Sequence, residues 1–250
     1  NLMAGVPTVV KPSEYTCFLT EVMVRDIIAS KILPEGSLQL VCGLGRGIID
    51  HVDSEDVVSF TGSAHTGKIL KGLPHLTDRS VPFNLEADSL NATVLGEKAV
   101  PGTVEFDLFI KETTKEITVK AGQKCTAIRR ILVPENLVEE VQKGISARLA
   151  STNIGDPSQE GVRMGALATR TQVDRVRESV ELLSKSQEIV YGDMDEFDVV
   201  GADKDKGAFF SPILFRNDDP FNKIDVHNVE AFGPVSTIMP YKNMDEAIEL

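Results

Sequence analysis

The chain has 250 residues, 42% of them hydrophobic, enough to bury the core of one large domain or two ordinary ones and to exclude a disordered or fibrous protein. Aspartate and glutamate number 38 against 26 lysines and arginines, and the formal net charge of -12 has the wrong sign for wrapping a phosphate backbone, so no nucleic acid is expected as partner. Cys17, Cys42 and Cys125 form no CxxC pair and the four histidines are scattered, so no metal site is expected and a cytoplasmic, reducing setting is.

No apolar run approaches the roughly 20 residues that span a bilayer, and no membrane partner is expected. The start, residues 1–7, lacks a charged-then-apolar leader. It also lacks an initiator Met, and the chain stops inside a helical pattern over residues 245–250; an excised piece is expected.

In chain order, Val6-Pro7-Thr8-Val9-Val10 reads as a strand, and Leu19, Val22, Met23 and Ile27 recur at helical spacing. Leu38 to Val41 and Val57 to Phe60 read as further strands, and Gly62 to Gly72 as a helix with Ser63 near its start. This alternation predicts βαβ units and a mostly parallel sheet up to residue 95. Past Glu86 come a strand over Ala92 to Leu95 and a helix with Phe106, Phe109, Ile110, Thr113 and Ile117 on one face. A loop holds Gly122 and Cys125, and Ile128 to Val133 is a strand. Leu137, Val138, Val141, Ile145 and Leu149 stripe the next helix, and Val173, Val176, Val180 and Leu183 another. Residues 191–208, polar and glycine-bearing, read as a surface excursion. The best division of the chain lies near residues 84–90.

A cysteine is a few per cent thiolate at neutral pH and is the most nucleophilic common side chain. Cys17 at a helix start and Cys42 at a strand end read as small buried filler. Cys125 follows Ala121-Gly122-Gln123-Lys124 in a loop where backbone N–H groups can face a developing oxyanion, with Lys124 adjacent; position alone leaves a structural role equally open. Glu86 ends an apolar-polar run and can serve as a general base, although a lone glutamate there is more often merely solvated. Gly43-Leu44-Gly45-Arg46-Gly47 lacks the third glycine of the dinucleotide fingerprint and reads as a loop. Phe60-Thr61-Gly62-Ser63 follows a strand and opens a helix, so the positive helix end at Gly62 and Ser63 is a candidate pyrophosphate site.

Val10-Lys11-Pro12-Ser13-Glu14, Phe60-Thr61-Gly62-Ser63, Leu85-Glu86, Gly122-Gln123-Lys124-Cys125 and Glu230-Ala231-Phe232-Gly233-Pro234 together resemble the aldehyde dehydrogenase superfamily, in its order and approximate spacing, over essentially the whole chain. Glu86 and Cys125 are 125 - 86 = 39 residues apart, much as that family separates base and nucleophile. Residues 83–91, 120–130 and 229–235 look like the family's phenylacetate-degradation branch, which joins a dehydrogenase of CoA-linked semialdehydes to a hydratase-like domain that opens an oxepin-CoA ring. Most of the superfamily has Gly-Gly-Lys after its glutamate, where this chain has Ala87-Asp88-Ser89.

The resemblance implies an α/β fold: a Rossmann-type parallel-sheet cofactor domain over residues 1–86, truncated at its N-terminal side, and an α/β catalytic domain over 87–250, truncated at its C-terminal side. It implies oxidation of a small-molecule aldehyde, CoA-linked in the phenylacetate branch, in a full-length protein that is a homo-oligomer. Cys125 would form a thiohemiacetal and then a thioester, and Glu86 would activate the hydrolytic water. Lys11 and Glu14 would hold the adenine ribose, Ser63 the pyrophosphate, and Glu230 with Phe232 the nicotinamide ribose of NAD or NADP, with Ser13 and Gly62 also among the cofactor-binding residues. A carboxylate at Glu14 favours NAD, whereas the phenylacetate branch is associated with NADP. Acylating dehydrogenases and acyl-phosphate reductases of the same fold are the alternative, and they generally do without the water-activating glutamate. A catalytically silent fragment is the other alternative.

By the same resemblance, the family's side-chain oxyanion donor would lie before Asn1. One lost donor costs about 3 kcal/mol of transition-state stabilisation. The 250-residue piece made alone is therefore expected to show little dehydrogenase activity, and full turnover by the purified piece would contradict this.

Overall fold

Short β-rich runs separated by capped helices build the first part of the chain. The computed structural model describes residues 1–45 and 47–250, and it divides into two units, Asn1–Ala87 and Asp88–Leu250. The first unit runs β1 (Thr8–Val10), α1 (Cys17–Ala29), β2 (Leu38–Leu40), β3 (Val58–Gly62), α2 (Ala64–Lys71), α3 (Pro74–Asp78) and β4 (Phe83–Ala87). Strands β1 and β2 pair in parallel, as do β3 and β4. Ser63 caps α2, its Oγ accepting from Thr66 N at 3.2 Å, and Lys68 and Lys71 sit in the last turn, where the helix dipole favours cations. Proline at the first turn starts α3.

Two-stranded ladders cover little surface, and among the described residues this unit buries only Val24, Leu76 and Val81 of its large apolar side chains. The apolar stripe of α1 was expected to face inward. Instead Val24 does so, while Leu19 is 63% exposed and Val22 and Met23 are also exposed. Spacing specifies that a stripe exists; the width of the neighbouring sheet decides whether it is covered. For the same reason Cys17 is only half-buried and Cys42 is exposed, not the buried filler expected of them. The glycine run 43–47 leads into a 3-10 turn, Ile48–His51, and not into the helix of a βαβ unit; its Arg46 lies outside the described residues.

The second unit runs β5 (Asn91–Val94), α4 (Val104–Thr118), β6 (Ile128–Pro134), α5 (Val138–Ala150), β7 (Asn153–Ile154), β8 (Val162–Met164), α6 (Arg170–Leu183), β9 (Glu188–Tyr191), β10 (Ile213–Arg216), β11 (Val235–Tyr241) and α7 (Met244–Glu249). A five-stranded sheet has the order β5-β6-β11-β10-β9, parallel throughout except for β9, which runs antiparallel to β10. Both faces are covered, as parallel sheets require. Ile131 and Val133 of β6, Leu214 of β10 and Ile238 of β11 pack with Phe106, Ile110 and Ile117 of α4 and Val138, Val141, Ile145 and Leu149 of α5. On the other face Ile213 and Phe215 of β10 and Val235 of β11 meet Val176, Val180 and Leu183 of α6. A smaller cluster joins Leu132, Met239 and Tyr241 to Ala247 of α7.

The helical stripes predicted for α4, α5 and α6 thus coincide with their buried faces, except that Phe109 and Val173 are only partly buried. Residues 191–208 are largely exposed, but Met194 and Phe197 turn inward onto the second cluster and Val200 makes a parallel bridge with Gly155. Among the described residues no helix is long and apolar enough to cross a membrane.

These burials set a stability contrast. Ile145→Ala, at a site with 0% exposure, is expected to cost about 2–5 kcal/mol, and Leu19→Ala no more than about 0.5 kcal/mol. Urea unfolding followed by circular dichroism checks both; equal losses at the two sites would contradict the packing.

Candidate active site

Helix α4 ends at Thr118, and the chain then turns through a 3-10 segment, Val119–Gly122, whose Lys120 and Ala121 hold φ near 54° and 51°. Left-handed backbone at non-glycine residues costs on the order of 1–2 kcal/mol each, so the surroundings must impose it. Gly122 follows at φ 69°, and a β-carbon there would lie 2.1 Å from the carbonyl oxygen of Gly233. Only glycine permits this approach, which seats the loop before Cys125 against residues 233–234.

The thiol of Cys125 is exposed. Its carbonyl oxygen accepts from Ser89 Oγ at 2.6 Å and Asn91 Nδ2 at 2.7 Å. Among the described residues none accepts from the backbone N–H of Cys125, which leaves that donor available beside the thiol. Lys124, expected to bring positive charge, pairs its ammonium with Glu116 at 2.6 Å, so its field at the thiol is largely offset. The Gln123 side chain ties the loop outward: Nε2 donates to Phe232 O at 3.2 Å, and Oε1 accepts from Ala168 N at 2.7 Å.

Glu230 and Phe232 lie next to this loop, as the close approach at Gly233 requires. Glu230 Oε2 accepts from Ser89 N at 3.3 Å, and Oε1 stands 3.8 Å from Arg129 Nε. Burial raises the Glu230 carboxyl above the ordinary carboxylate range; Arg129 and the Ser89 N–H pull it back, and Asp88 adds to the rise. Arg129 is itself 4% exposed, its guanidinium donating to Gly233 O at 2.5 Å and Gly122 O at 2.6 Å and lying 5.7 Å from the Phe232 ring centre. Burial lowers its pKa while Glu230 raises it, and a guanidinium remains charged in either case. The sequence assigns no role to Arg129, Ser89, Asn91 or Gln123, although Gln123 lies in the Gly122-Gln123-Lys124-Cys125 motif. The one available signal was the unusual Ala87-Asp88-Ser89 stretch.

The other candidates belong to the first unit. Register pairs Thr61 with Glu86 and Gly62 with Ala87, so exposed Glu86 and the Gly62-Ser63 turn leave the same end of the β3-β4 ladder. Gly67 lets α2 pack onto β4, since a β-carbon would sit 2.4 Å from Leu85 Cδ1. Ser63 Oγ is engaged within the helix cap, also meeting Thr66 Oγ1 at 3.0 Å. Lys11 Nζ and Glu14 Oε2 pair at 3.5 Å near the end of β1, and Ser13 Oγ accepts from Tyr15 N at 3.4 Å. The Glu14 carboxyl is held below the ordinary range, first by its own backbone N–H and then by Lys11. Ammonium and carboxylate side by side offer a donor and an acceptor suited to vicinal hydroxyls. No group of three or more metal-ligating side chains occurs among the described residues.

An exposed thiol thus sits on a strained loop held against a glutamate segment at one end of a parallel sheet, a candidate site for covalent catalysis in a protein of the aldehyde dehydrogenase class. The profile of the aldehyde dehydrogenase family matches residues 1–250, and the chain belongs to that family. It is 44% identical over 249 residues to 3,4-dehydroadipyl-CoA semialdehyde dehydrogenase of Aromatoleum evansii, covering 100% of this chain and 48% of that protein. A putative aldehyde dehydrogenase of Staphylococcus epidermidis is 31% identical over 255 residues, 99% of this chain and 50% of that one. The chain spans about half the length of these curated relatives. Among solved structures, betaine aldehyde dehydrogenase from Staphylococcus aureus in complex with NAD+ superposes with a TM-score of 0.83 at 25% identity, over 97% of this chain and 46% of that one.

Glu230 gives this site a pH signature. Its folded pKa is raised, so the stability it contributes is fully present below the unfolded carboxylate pKa of about 4.3 and is lost as pH rises through the folded value. The stability of Glu230→Gln relative to the native protein should therefore climb as pH increases from about 4 to 7. Urea unfolding across that range measures it; a flat difference would contradict the buried carboxylate.

Proposed function

We propose that the protein carrying this chain oxidises an aldehyde to a carboxylic acid, with Cys125 as nucleophile, Glu86 as general base and NAD or NADP as oxidant. The observation that carries this reading is the exposed Cys125 thiol on a loop whose carbonyls are held by Ser89, Asn91 and Arg129. The unengaged Cys125 N–H lies beside it. A preformed donor next to a nucleophile stabilises negative charge where it develops, without reorganisation at the moment of reaction.

The first unit, in this reading, is the cofactor domain. Lys11 and Glu14 are suited to the adenine ribose hydroxyls and Ser13 to its rim, while the Gly62-Ser63 turn at the α2 N-terminus suits the pyrophosphate. Glu230 and Phe232 serve the nicotinamide ribose from the catalytic unit. The ionised carboxyl of Glu14 disfavours a 2′-phosphate and favours NAD. When bound, the dinucleotide supplies the hydride acceptor.

On the protein side, the Cys125 thiol gives up its proton to solvent, the thiolate sulfur adds to the aldehyde carbon, and the resulting oxyanion meets the Cys125 N–H. Loss of hydride from that carbon leaves an acyl thioester on Cys125. Glu86 takes a proton from water, which attacks the thioester, releases the acid and regenerates the thiol. The presence of Glu86 favours hydrolysis over transfer to CoA or phosphate. As substrate we propose a CoA-linked semialdehyde, and as its setting phenylacetate degradation; the 44% identity to a dehydrogenase of that class and the phenylacetate-branch motifs support this reading.

Glu86→Gln in the full-length protein, given a CoA-linked semialdehyde and NAD or NADP, should accumulate the acyl-enzyme. Intact mass would rise by the substrate mass less two hydrogens, and the adduct should map to Cys125 and vanish in Cys125→Ser. Absence of any adduct, with the native protein also failing to reduce the cofactor, would overturn the reading.

A further inference from the structure

Two sets of contacts converge on the nucleophile loop that the reaction above does not use. The first closes on the carbonyl of Cys125. A carbonyl oxygen has two lone pairs, and here Ser89 Oγ at 2.6 Å and Asn91 Nδ2 at 2.7 Å fill both. Asn91 Nδ2 also reaches Ser89 Oγ at 3.2 Å and Ala127 O at 3.2 Å, so the amide and hydroxyl are fixed to each other and to the strand that follows the loop. With its acceptor saturated from one side, the Cys125–Thr126 peptide cannot rotate without breaking both bonds. The Cys125 α-carbon, from which the thiol departs, is held in place with it.

The second set closes on Arg129. Its planar guanidinium takes the carbonyl of Gly122, upstream of the thiol, and that of Gly233, within the segment that follows Glu230. Its Nε faces the Glu230 carboxylate. The backbone N–H of Ser89 holds the other oxygen of that carboxylate, so residue 89 belongs to both sets. A rigid fork is required to meet two carbonyls from separate segments while a third edge faces a carboxylate, and an ammonium has no such shape.

Accepting Cys125 as the nucleophile and Glu230 as a cofactor ligand, we propose that Ser89 and Arg129 are positioning residues with separable effects. Ser89, with Asn91, anchors the backbone that carries the nucleophile; Arg129 seats Glu230 against the nucleophile loop and thereby sets cofactor affinity.

The test uses Ser89→Ala, Ser89→Thr and Arg129→Lys in the full-length protein, with three measurements: steady-state kinetics, cofactor dissociation constant by titration calorimetry, and the rate of Cys125 alkylation by iodoacetamide. Ser89→Ala removes one hydroxyl from a half-buried site. It should lower kcat about tenfold and change the alkylation rate at least about threefold, with cofactor affinity within about twofold of native and an unchanged melting temperature. Ser89→Thr, which keeps the hydroxyl, should recover most of the loss. Arg129→Lys should weaken cofactor binding about tenfold or more.

Native kcat, alkylation rate and cofactor affinity in these variants, with Cys125-dependent turnover intact, would overturn the positioning roles and leave the proposed function standing. The opposite pattern, no Cys125-dependent turnover in the native protein but altered alkylation in Ser89→Ala, would overturn the proposed function and support the loop's orientation by Ser89. Should Arg129→Lys fail to fold, unchanged alkylation and kcat in Ser89→Ala alone would still refute the Ser89 role.

Discussion

The Arg129 guanidinium is charged and almost wholly removed from water, a state tolerated only where hydrogen bonds and an opposite charge replace the lost hydration. Two carbonyls and the Glu230 carboxylate supply them, and each comes from a segment with a place in the candidate site. Deprive the guanidinium of one partner and a buried charge is left exposed to apolar surroundings. That penalty is what keeps the loop before Cys125 and the segment around Gly233 in contact. The left-handed backbone of Lys120 and Ala121 persists because this arrangement over-determines it.

The sheet of the second unit explains why such a clamp can be rigid. Four parallel strands, of which β6, β10 and β11 are largely buried, fix the positions from which the candidate segments depart: β5 begins two residues after Ser89, β6 carries Arg129, and β11 begins one residue after Pro234. Segments that meet at the site are thus anchored within a few residues of strands that are hydrogen-bonded to one another. The first unit has no such depth. Its candidate positions sit on or beside two-stranded ladders and on the cap of α2, where exposure would suit a ligand that must bind and leave.

Lys124 is neutralised by Glu116 and so brings little net positive charge to the loop. The Cys125 N–H, with no acceptor among the described residues, is the donor that remains beside the thiol, and a donor held in place acts without the reorganisation a mobile ammonium would need. Ser89 links that loop to the carboxylate of Glu230, which ties the geometry of the nucleophile to that of the proposed cofactor contact.

Much of this was legible in the sequence. Period-3.6 stripes located α4, α5 and α6 and most of their buried faces, because those helices pack on a wide sheet that rewards every apolar position. The Gly62-Ser63 cap was legible because capping is local. The loop bearing Cys125 and the family membership were legible from short ordered motifs. Burial in the first unit was not, since Leu19 and Met23 obey the same periodicity and lie exposed; periodicity reports a face and says nothing of what covers it. Nor was the network around Arg129. Its bonds join residues 89, 122, 129, 230 and 233; apart from Arg129 to Gly122 they span more than 100 residues, and such separations leave no trace in local composition. The sequence by itself determined which groups can react and which segments can be helices or strands, because those follow from side-chain chemistry and near-neighbour spacing. Only the tertiary structure decided which backbone carbonyls a buried guanidinium would face, because that depends on strands brought together from distant parts of the chain.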